Sequence, residues 1–268
     1  MVSCTSNLHT VVHLSATLHH RIHRYPSCID RHNHHCFRYP TTYLIVLPTP
    51  PVLVAQSLAP PSHILHQRRY TTLLHILEIC LQLGVRTVTV FAFSLDNFKR
   101  SKNEIDSLID LAETKLSELA HRRHFLVETQ TQVRFLGDIS RLPTELQNRI
   151  EYLQNLTTFH NSERQFNICI AYSSVAEMYH AFQCCCATPN ATSVTQHLFT
   201  SSNYPQLIVR TSGERRLSDF LLMQAAHANS SILFIDKLWP AITYVIFDIL
   251  PYICDHTSTH ARTRTRTR

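Results

Sequence analysis

Two segments of the chain set arginines among hydroxyl side chains, a combination that suits phosphate groups. The first is Phe91–Ser101 (FAFSLDNFKRS) and the second is Arg210–Phe220 (RTSGERRLSDF). A planar guanidinium pairs with two phosphate oxygens at once, and hydroxyls donate to the oxygens that remain. The pattern predicts a diphosphate pocket, against the alternative of solvated arginines on surface loops. The candidate ligands are Ser94, Arg100, Arg210, Arg216 and Ser218.

Both segments follow short runs of β-branched and aromatic residues that are typical of buried strands. These runs alternate with stretches whose apolar residues recur every three or four positions, as in helices. The predicted strands are 87–93, 133–136, 167–172, 207–209 and 232–235, and the predicted helices are 70–83, 103–120, 143–156, 175–185 and 218–228. The alternation predicts the α/β fold class, as a single domain with a mostly parallel sheet flanked by helices.

The strand ends decide which side chains meet. In an open parallel sheet, ligands bind beyond the carboxyl ends of the strands. Ser94 and Arg100 follow the first predicted strand, and Arg210 follows the fourth. The fold class therefore predicts that the two arginine segments contribute to one site.

Other features exclude several classes of function. Gly84, Gly137 and Gly213 stand too far apart for a glycine-rich phosphate loop. The net charge of +6 comes from arginines at the two ends, which leaves the middle near neutral and argues against nucleic acid as a partner. No stretch is long and apolar enough to predict a membrane span. Because no nucleophile–base motif is present, an enzyme with this sequence would stabilise charge on a phosphate.

The two ends of the chain differ from its middle in composition. Residues 1–65 hold seven of the twelve prolines, nine of the nineteen histidines and no glycine. Their apolar run Tyr43–Leu47 is stopped by Pro48, and they show no helical or strand periodicity of useful length. We therefore expect a disordered His/Pro-rich extension at 1–65, a domain at 66–256 and an Arg-Thr repeat tail at 257–268.

The arginine segments resemble blocks of the cis-prenyltransferases, the undecaprenyl and dehydrodolichyl diphosphate synthases. Phe91–Ser101 resembles their YAFSxENFxR block, and Arg210–Phe220 resembles RTSGExRLSDF in its eukaryotic wording. Leu238–Pro240 matches the LWP that follows, and Phe135–Asp138 matches the xxGD end of a strand. The resemblance covers residues 66–255.

The resemblance implies an enzyme of isoprenoid and dolichol biosynthesis. Such an enzyme condenses isopentenyl diphosphate with an allylic diphosphate, such as farnesyl diphosphate, and uses Mg²⁺ to form a cis-polyprenyl diphosphate. The resemblance also implies a homodimer, or a heterodimer with a sister subunit. The implied location is intracellular, at the cytosolic face of the endoplasmic reticulum, with peripheral membrane contact.

The resemblance further implies roles for individual residues. Arg210, Arg216 and Ser218 would hold isopentenyl diphosphate, while Ser94 and Arg100 would line the diphosphate site. Two further positions match the family. His66 matches a substrate-binding histidine, and Asn97 stands at the position that is assigned to proton removal from the condensing unit.

The sequence departs from the family at its metal site. Nothing in residues 1–65 resembles the MDGNxRWA loop, whose aspartate binds magnesium, and only His66 keeps register in the GHxxG element. The glutamate about eight residues before the tryptophan is replaced in the stretch around Ser230, and Val175 stands for the arginine of YTSR. No residue is therefore assigned as a metal ligand, and we expect the condensation to be impaired.

Three explanations of these departures stay open. The first is that residues 1–65 are translated non-coding sequence in place of a true first exon. The second is a non-catalytic subunit that binds diphosphate and supports a heteromeric enzyme. The third is activity with a substitute carboxylate such as Asp138. A nucleic-acid binder built on the Arg-rich ends is disfavoured because those ends do not interleave aromatic with basic residues.

Overall fold

The computed structural model describes residues 43–47, 62–82, 84–159, 162–185, 191–200, 204–227 and 230–239. For residues 43–47 and 62–69 it describes the backbone only. The chain divides into two units, Met1–Pro40 and Thr41–Arg268, and every described residue belongs to the second. None of the described helices is long and apolar enough to cross a membrane.

Six described strands form one sheet in which every pairing is parallel. They are β1 (Tyr43–Leu47), β2 (Thr87–Phe91), β3 (Thr131–Leu136), β4 (Arg164–Cys169), β5 (Leu207–Arg210) and β6 (Ser231–Phe234). Their order across the sheet is β3-β4-β2-β1-β5-β6. The predicted α/β class with a parallel sheet flanked by helices is confirmed.

Seven described helices connect and flank the strands. They are α1 (Ser62–Gln82), α2 (Lys102–His121), α3 (Arg123–Glu128), α4 (Thr144–Leu156), α5 (Ser174–Cys184), α6 (Ala191–Gln196) and α7 (Leu222–His227). Local sequence explains several boundaries. Gly84, with φ of +77°, follows α1, and a capping box between Ser101 and Glu104 begins α2.

The alternation of side chains along each strand produces two buried faces. On the first, Val88 and Val209 pack in one core with Leu77 of α1, Leu116 of α2 and Ile150 of α4. The second face is smaller. There, buried residues from β2–β5 meet residues that follow β4 and β5, namely Phe91, Leu136, Cys169, Tyr172, Ile208, Phe220 and Leu221. The aromatic members of this second core lie at the carboxyl edge of the sheet, where the site is expected.

The prediction that residues 1–65 lie outside the domain is wrong for Tyr43–Leu47. This run is β1, and it pairs with β2 on one side and β5 on the other, with Val46 opposite both Val90 and Val209. A five-residue apolar run suffices for a strand that is hydrogen-bonded on both edges, and the following Pro48 only ends it. Helix α1 likewise begins at Ser62, ahead of the expected boundary. The rest of the extension and the Arg-Thr tail lie outside the described residues.

The helix predicted at 218–228 is also corrected. Helix α7 spans only Leu222–His227, and the preceding residues 211–221, here called the β5 loop, are irregular. Ser218, Asp219 and Leu221 have φ of +53°, +56° and +47°, which a right-handed helix does not allow. Helical periodicity was misleading here because Phe220 and Leu221 are buried against the sheet rather than along a helix face.

Candidate functional site

The carboxyl ends of β2 and β5 point to the same edge of the sheet, as predicted. Strand β1 lies between them, so the two ends are two strand spacings apart, about 10 Å. In register, Val46 aligns Val90 with Val209, so β2 and β5 end at nearly the same level. The two arginine segments therefore begin on the same side of the molecule.

A short 3₁₀ helix, Leu95–Lys99, follows β2 and orients Ser94 and Asn97. The Ser94 hydroxyl accepts a hydrogen bond from the Asp96 amide at 3.1 Å, and the Asn97 Oδ1 accepts one from the Ser94 amide at 2.8 Å. Asn97 is buried. Because its Oδ1 binds backbone, the Asn97 side chain turns its amide nitrogen away from Ser94 as a hydrogen-bond donor.

Arg100 ends this 3₁₀ helix and is partly buried. Its Nη1 lies 3.9 Å from the Glu104 Oε1 in the first turn of α2. Glu104 is also bound to Ser101, whose hydroxyl lies 2.7 Å from its Oε2. These contacts place the guanidinium of Arg100 beside the first turn of α2.

Arg210 is the last residue of β5, and its whole residue is only 2% exposed. Its Nε and Nη1 are buried and have no hydrogen-bond partner in the part of the chain that the structure describes. Burial lowers the pKa of Arg210, with Glu214 opposing that shift and Arg216 adding to it. Leaving a buried donor unpaired costs about 1–3 kcal/mol, so an anion at this position would relieve an existing penalty.

The β5 loop, which follows Arg210, carries Arg216 and Ser218. The Arg216 Nε lies 3.1 Å from the Glu214 Oε2, and both Arg216 and Ser218 are exposed. Since Glu214 and Arg216 both act electrostatically on Arg210, the structure brings two of the predicted arginines together with one carboxylate. The local charge of this trio is +1, which favours an anionic ligand.

The loop backbone is held in a costly conformation. Ser212, Ser218, Asp219 and Leu221 have positive φ, a region that residues other than glycine adopt at a cost. Both ends are fixed by backbone hydrogen bonds, from Ser212 to the Lys237 carbonyl at 2.8 Å and from Ser174 to the Asp219 carbonyl at 2.9 Å. Strained but fixed loops of this kind occur at ligand sites.

Aromatic packing ties the end of the β5 loop to β2 and β4. The Phe220 ring stacks on Phe91 at 4.5 Å between centroids and meets Tyr172 edge-on at 5.7 Å. Tyr172 in turn forms a parallel bridge with Ser94. Movement of the loop would therefore disturb the carboxyl ends of β2 and β4.

Sequence reasoning missed Glu177, which is 1% exposed in α5. Its carboxylate accepts hydrogen bonds from the Tyr172 hydroxyl, the Phe199 amide at 2.7 Å and the Gln224 side chain at 2.8 Å. Burial raises its pKa, although these hydrogen bonds act in the opposite direction. The available signal was a lone carboxylate in the otherwise uncharged helix α5.

Two further residues named from the sequence are His66 and Asp138. His66 lies in α1, and its side chain is outside the described part of the structure. Asp138 follows β3 at one border of the sheet, three strand spacings or about 14 Å from β1. Its Oδ1 accepts the Ser140 hydroxyl at 2.5 Å. Sheet order thus argues against Asp138 as the substitute carboxylate.

The described residues do not fit the magnesium site that the resemblance implies. Among them, no three histidine, cysteine, aspartate or glutamate side chains converge on one point. Asp96 is paired with Lys99 at 2.7 Å, and Glu214 is paired with Arg216. Asp219 keeps a buried, unpartnered Oδ1, but one carboxylate oxygen is not an octahedral site.

Comparison with known proteins identifies the family that has this arrangement. A parallel α/β sheet with its basic loop at the carboxyl edge defines a class of ligand-binding proteins. Within it, the family described as putative undecaprenyl diphosphate synthase matches residues 55–263. The chain belongs to this family, whose members are prenyltransferases.

Two relatives illustrate the likeness in sequence. A dehydrodolichyl diphosphate synthase complex subunit of Homo sapiens is 39% identical over 190 residues, which cover 67% of this chain and 56% of that protein. An isoprenyl transferase of Chlamydia trachomatis is 34% identical over 189 residues, covering 66% of this chain and 72% of that protein. The chain thus spans just over half the length of the human subunit.

Solved structures agree on the fold. A probable undecaprenyl diphosphate synthase from Campylobacter jejuni superposes with a TM-score of 0.66 at 23% identity, covering 80% of this chain and 95% of that one. Lavandulyl diphosphate synthase from Lavandula x intermedia, in complex with dimethylallyl diphosphate, superposes with a TM-score of 0.69 at 26% identity. The match covers 81% of this chain and 94% of that one.

The buried Glu177 predicts a specific dependence of stability on pH. Because its pKa is raised above 4.5 in the folded state, the folded chain binds this proton more tightly than the unfolded chain. Its contribution to stability is therefore present below pH 4.5 and is lost as the pH rises through the raised pKa. As the pH rises from 4.5 through the raised pKa, we expect the free energy of unfolding of the parent protein to fall relative to that of Glu177→Gln. Urea denaturation at a series of pH values measures this difference.

Glu151→Gln, which removes an exposed carboxylate from α4, controls for the loss of one charge. Parallel pH curves for the parent protein and Glu177→Gln would contradict the prediction.

Proposed function

We propose that this chain is a cis-prenyltransferase subunit that binds isopentenyl diphosphate at the β5 loop and is impaired in chain extension by itself. The observation that carries the proposal is the buried Arg210 guanidinium, whose Nε and Nη1 nitrogens have no hydrogen-bond partner among the described residues. A diphosphate oxygen would satisfy these donors, and Arg216 and Ser218 lie on the adjoining loop to contact the second phosphate.

The other candidate residues fit the allylic side of such a site. Ser94 and Arg100 follow β2, whose carboxyl end lies on the same edge of the sheet about 10 Å from the end of β5. We assign them to the diphosphate of an allylic substrate such as farnesyl diphosphate, with His66 of α1 as a further substrate contact. Asn97 would position the condensing unit by hydrogen bonding, because a carboxamide is not a proton store at neutral pH.

The impairment follows from what comes after β1. This strand is central, so its carboxyl end lies between the carboxyl ends of β2 and β5. The chain continues there as Pro48-Thr49-Pro50-Pro51, and no carboxylate occurs between Asp30 and Glu78. The chain therefore offers no aspartate there to hold a magnesium ion against the allylic diphosphate.

We expect isopentenyl diphosphate to raise the melting temperature of the chain and Arg210→Ala to abolish the shift. The matched control is Arg215→Ala, which removes an exposed arginine from the same loop and should retain the shift. Arg210→Lys keeps the charge but loses the planar fork, so it should restore only part of the shift. Absence of a shift in the parent protein would contradict the binding site.

Incubation of the purified chain with farnesyl diphosphate, isopentenyl diphosphate and Mg²⁺ should yield little or no polyprenyl product by radiolabel incorporation. Vigorous synthesis would refute the impairment. In that event, loss of synthesis in Asp138→Asn would identify the substitute carboxylate, whereas retention would exclude it.

A role as a subunit of a larger enzyme is favoured by an exposed apolar stripe on α5. Val175, Tyr179 and Phe182 are 62%, 65% and 53% exposed and recur at helical spacing on one side of the helix. Relatives are named as subunits of dehydrodolichyl diphosphate synthase complexes. We assign the stripe to contact with a second subunit of the same fold, in a homodimer or with a sister subunit at the endoplasmic reticulum.

Light scattering should therefore give about twice the 31.0 kDa mass of the chain, and the double change Val175→Asp with Phe182→Asp should reduce it to the monomer. Val127→Asp places the same charge on an exposed apolar residue of α3 and should leave the dimer intact. A monomeric parent protein would contradict the homodimer.

A further inference from the structure

A cavity of about 480 Å³ lies between the last turns of α2 and helix α4. It is remote from the diphosphate site, because α2 starts beside Arg100 and its 20 residues carry the chain about 30 Å to the opposite edge of the sheet. Its volume falls within the range of small-molecule sites. Nothing in the proposed condensation uses this cavity.

The rim of the cavity is cationic. Arg123 at the start of α3 and Arg149 of α4 line it together with His121, and no carboxylate does. Among the described residues, neither arginine forms an ion pair with a carboxylate. Two arginines with no acidic partner at one opening favour an anionic ligand.

Arg149 is held in place before any ligand binds. Its Nη1 donates to the Ser117 Oγ at 2.7 Å, and that hydroxyl donates to the Glu113 carbonyl at 2.9 Å. His121 Nδ1 lies 2.7 Å from the Ser117 carbonyl oxygen, which fixes the ring at the same wall. A guanidinium restrained in this way loses less conformational entropy when it binds an anion.

Part of the cavity wall is apolar. Leu116 and Leu153 are buried side chains of the first core and line it together with Ala120, while the exposed ring of Tyr152 lies at its side. A purely inorganic anion would use only the rim and would leave these apolar surfaces wet. The combination fits an anion joined to a short apolar group.

We propose that the α2–α4 cavity binds a phosphate monoester with an alkyl substituent. The phosphate pairs with Arg123 and Arg149, and the alkyl group lies over Leu116, Leu153 and Tyr152. This chemistry is supplied either by the headgroup region of an acidic lipid or by a soluble phosphate ester. The inference does not depend on the β5 loop, since the two sites share no residue.

The test is calorimetric titration of the full chain with hexyl phosphate and with inorganic phosphate. We expect hexyl phosphate to bind at least tenfold more tightly, because each buried methylene contributes about 0.8 kcal/mol. Arg149→Gln and Arg123→Gln should each weaken hexyl phosphate binding at least tenfold. Tyr152→Ala should weaken the binding of hexyl phosphate but leave the binding of inorganic phosphate unchanged. Because this variant keeps both arginines, it tests the site without relying on the folding of the arginine variants.

Arg210→Ala and Arg215→Gln separate this site from the β5 loop. Both should bind hexyl phosphate as the parent protein does, and Arg149→Gln should keep the melting shift produced by isopentenyl diphosphate. Failure of hexyl phosphate to bind, or its loss in Arg210→Ala with retention in Arg149→Gln, would overturn the proposal without bearing on the β5 loop.

Cosedimentation with phosphatidylcholine vesicles, with and without phosphatidic acid, identifies the source of the ligand. Capture only by vesicles that contain phosphatidic acid, abolished in Arg149→Gln, would support a lipid headgroup. Hexyl phosphate binding without vesicle capture would support a soluble ester.

Discussion

The parallel pairing of β1 with both β2 and β5 holds the two halves of the described sheet together. On one side lie β3, β4 and β2, and on the other lie β5 and β6. Because β1 aligns Val90 with Val209, the ends of β2 and β5 reach the same level. Strands β2 and β5 are not paired with each other, because β1 lies between them. The position of the Leu95–Lys99 segment relative to the β5 loop therefore depends on this alignment.

The β5 loop illustrates how packing maintains a costly local structure. Four of its residues other than glycine have positive φ, and the preceding Arg210 has buried donors that no described residue accepts. Stacking of Phe220 on Phe91 and the hydrogen bond from Ser174 to Asp219 secure the loop. Glu177 joins α5 to Tyr172, Phe199 and Gln224, so the helices beneath the loop are fixed as well. Binding energy from an anion would offset part of the penalty at Arg210.

Membership of a prenyltransferase family and the local chemistry of this chain lead to different expectations. The β5 loop retains its basic residues, whereas the described carboxylates near the site are paired or single. Diphosphate binding and ionisation of an allylic diphosphate make different demands, because the first needs cations and hydroxyls while the second also needs a held metal. A subunit that binds substrate without completing the reaction is consistent with both facts, and the exposed stripe on α5 is the surface that we propose for a partner.

Sequence by itself determined the elements with strong periodicity and the residues with distinctive chemistry. Helix α2, strand β2 and the two arginine segments were predicted to within a few residues, because apolar spacing and guanidinium–hydroxyl composition are local properties. Tertiary structure alone decided three features. Tyr43–Leu47 became a central strand because two neighbours supply its hydrogen bonds. Residues 218–221 stayed out of a helix because burial of Phe220 favoured another backbone path. Glu177 became a buried acceptor because folding brings to it two donors, Phe199 and Gln224, that lie 22 and 47 residues away along the chain, and a distance along the sequence does not report a distance in space.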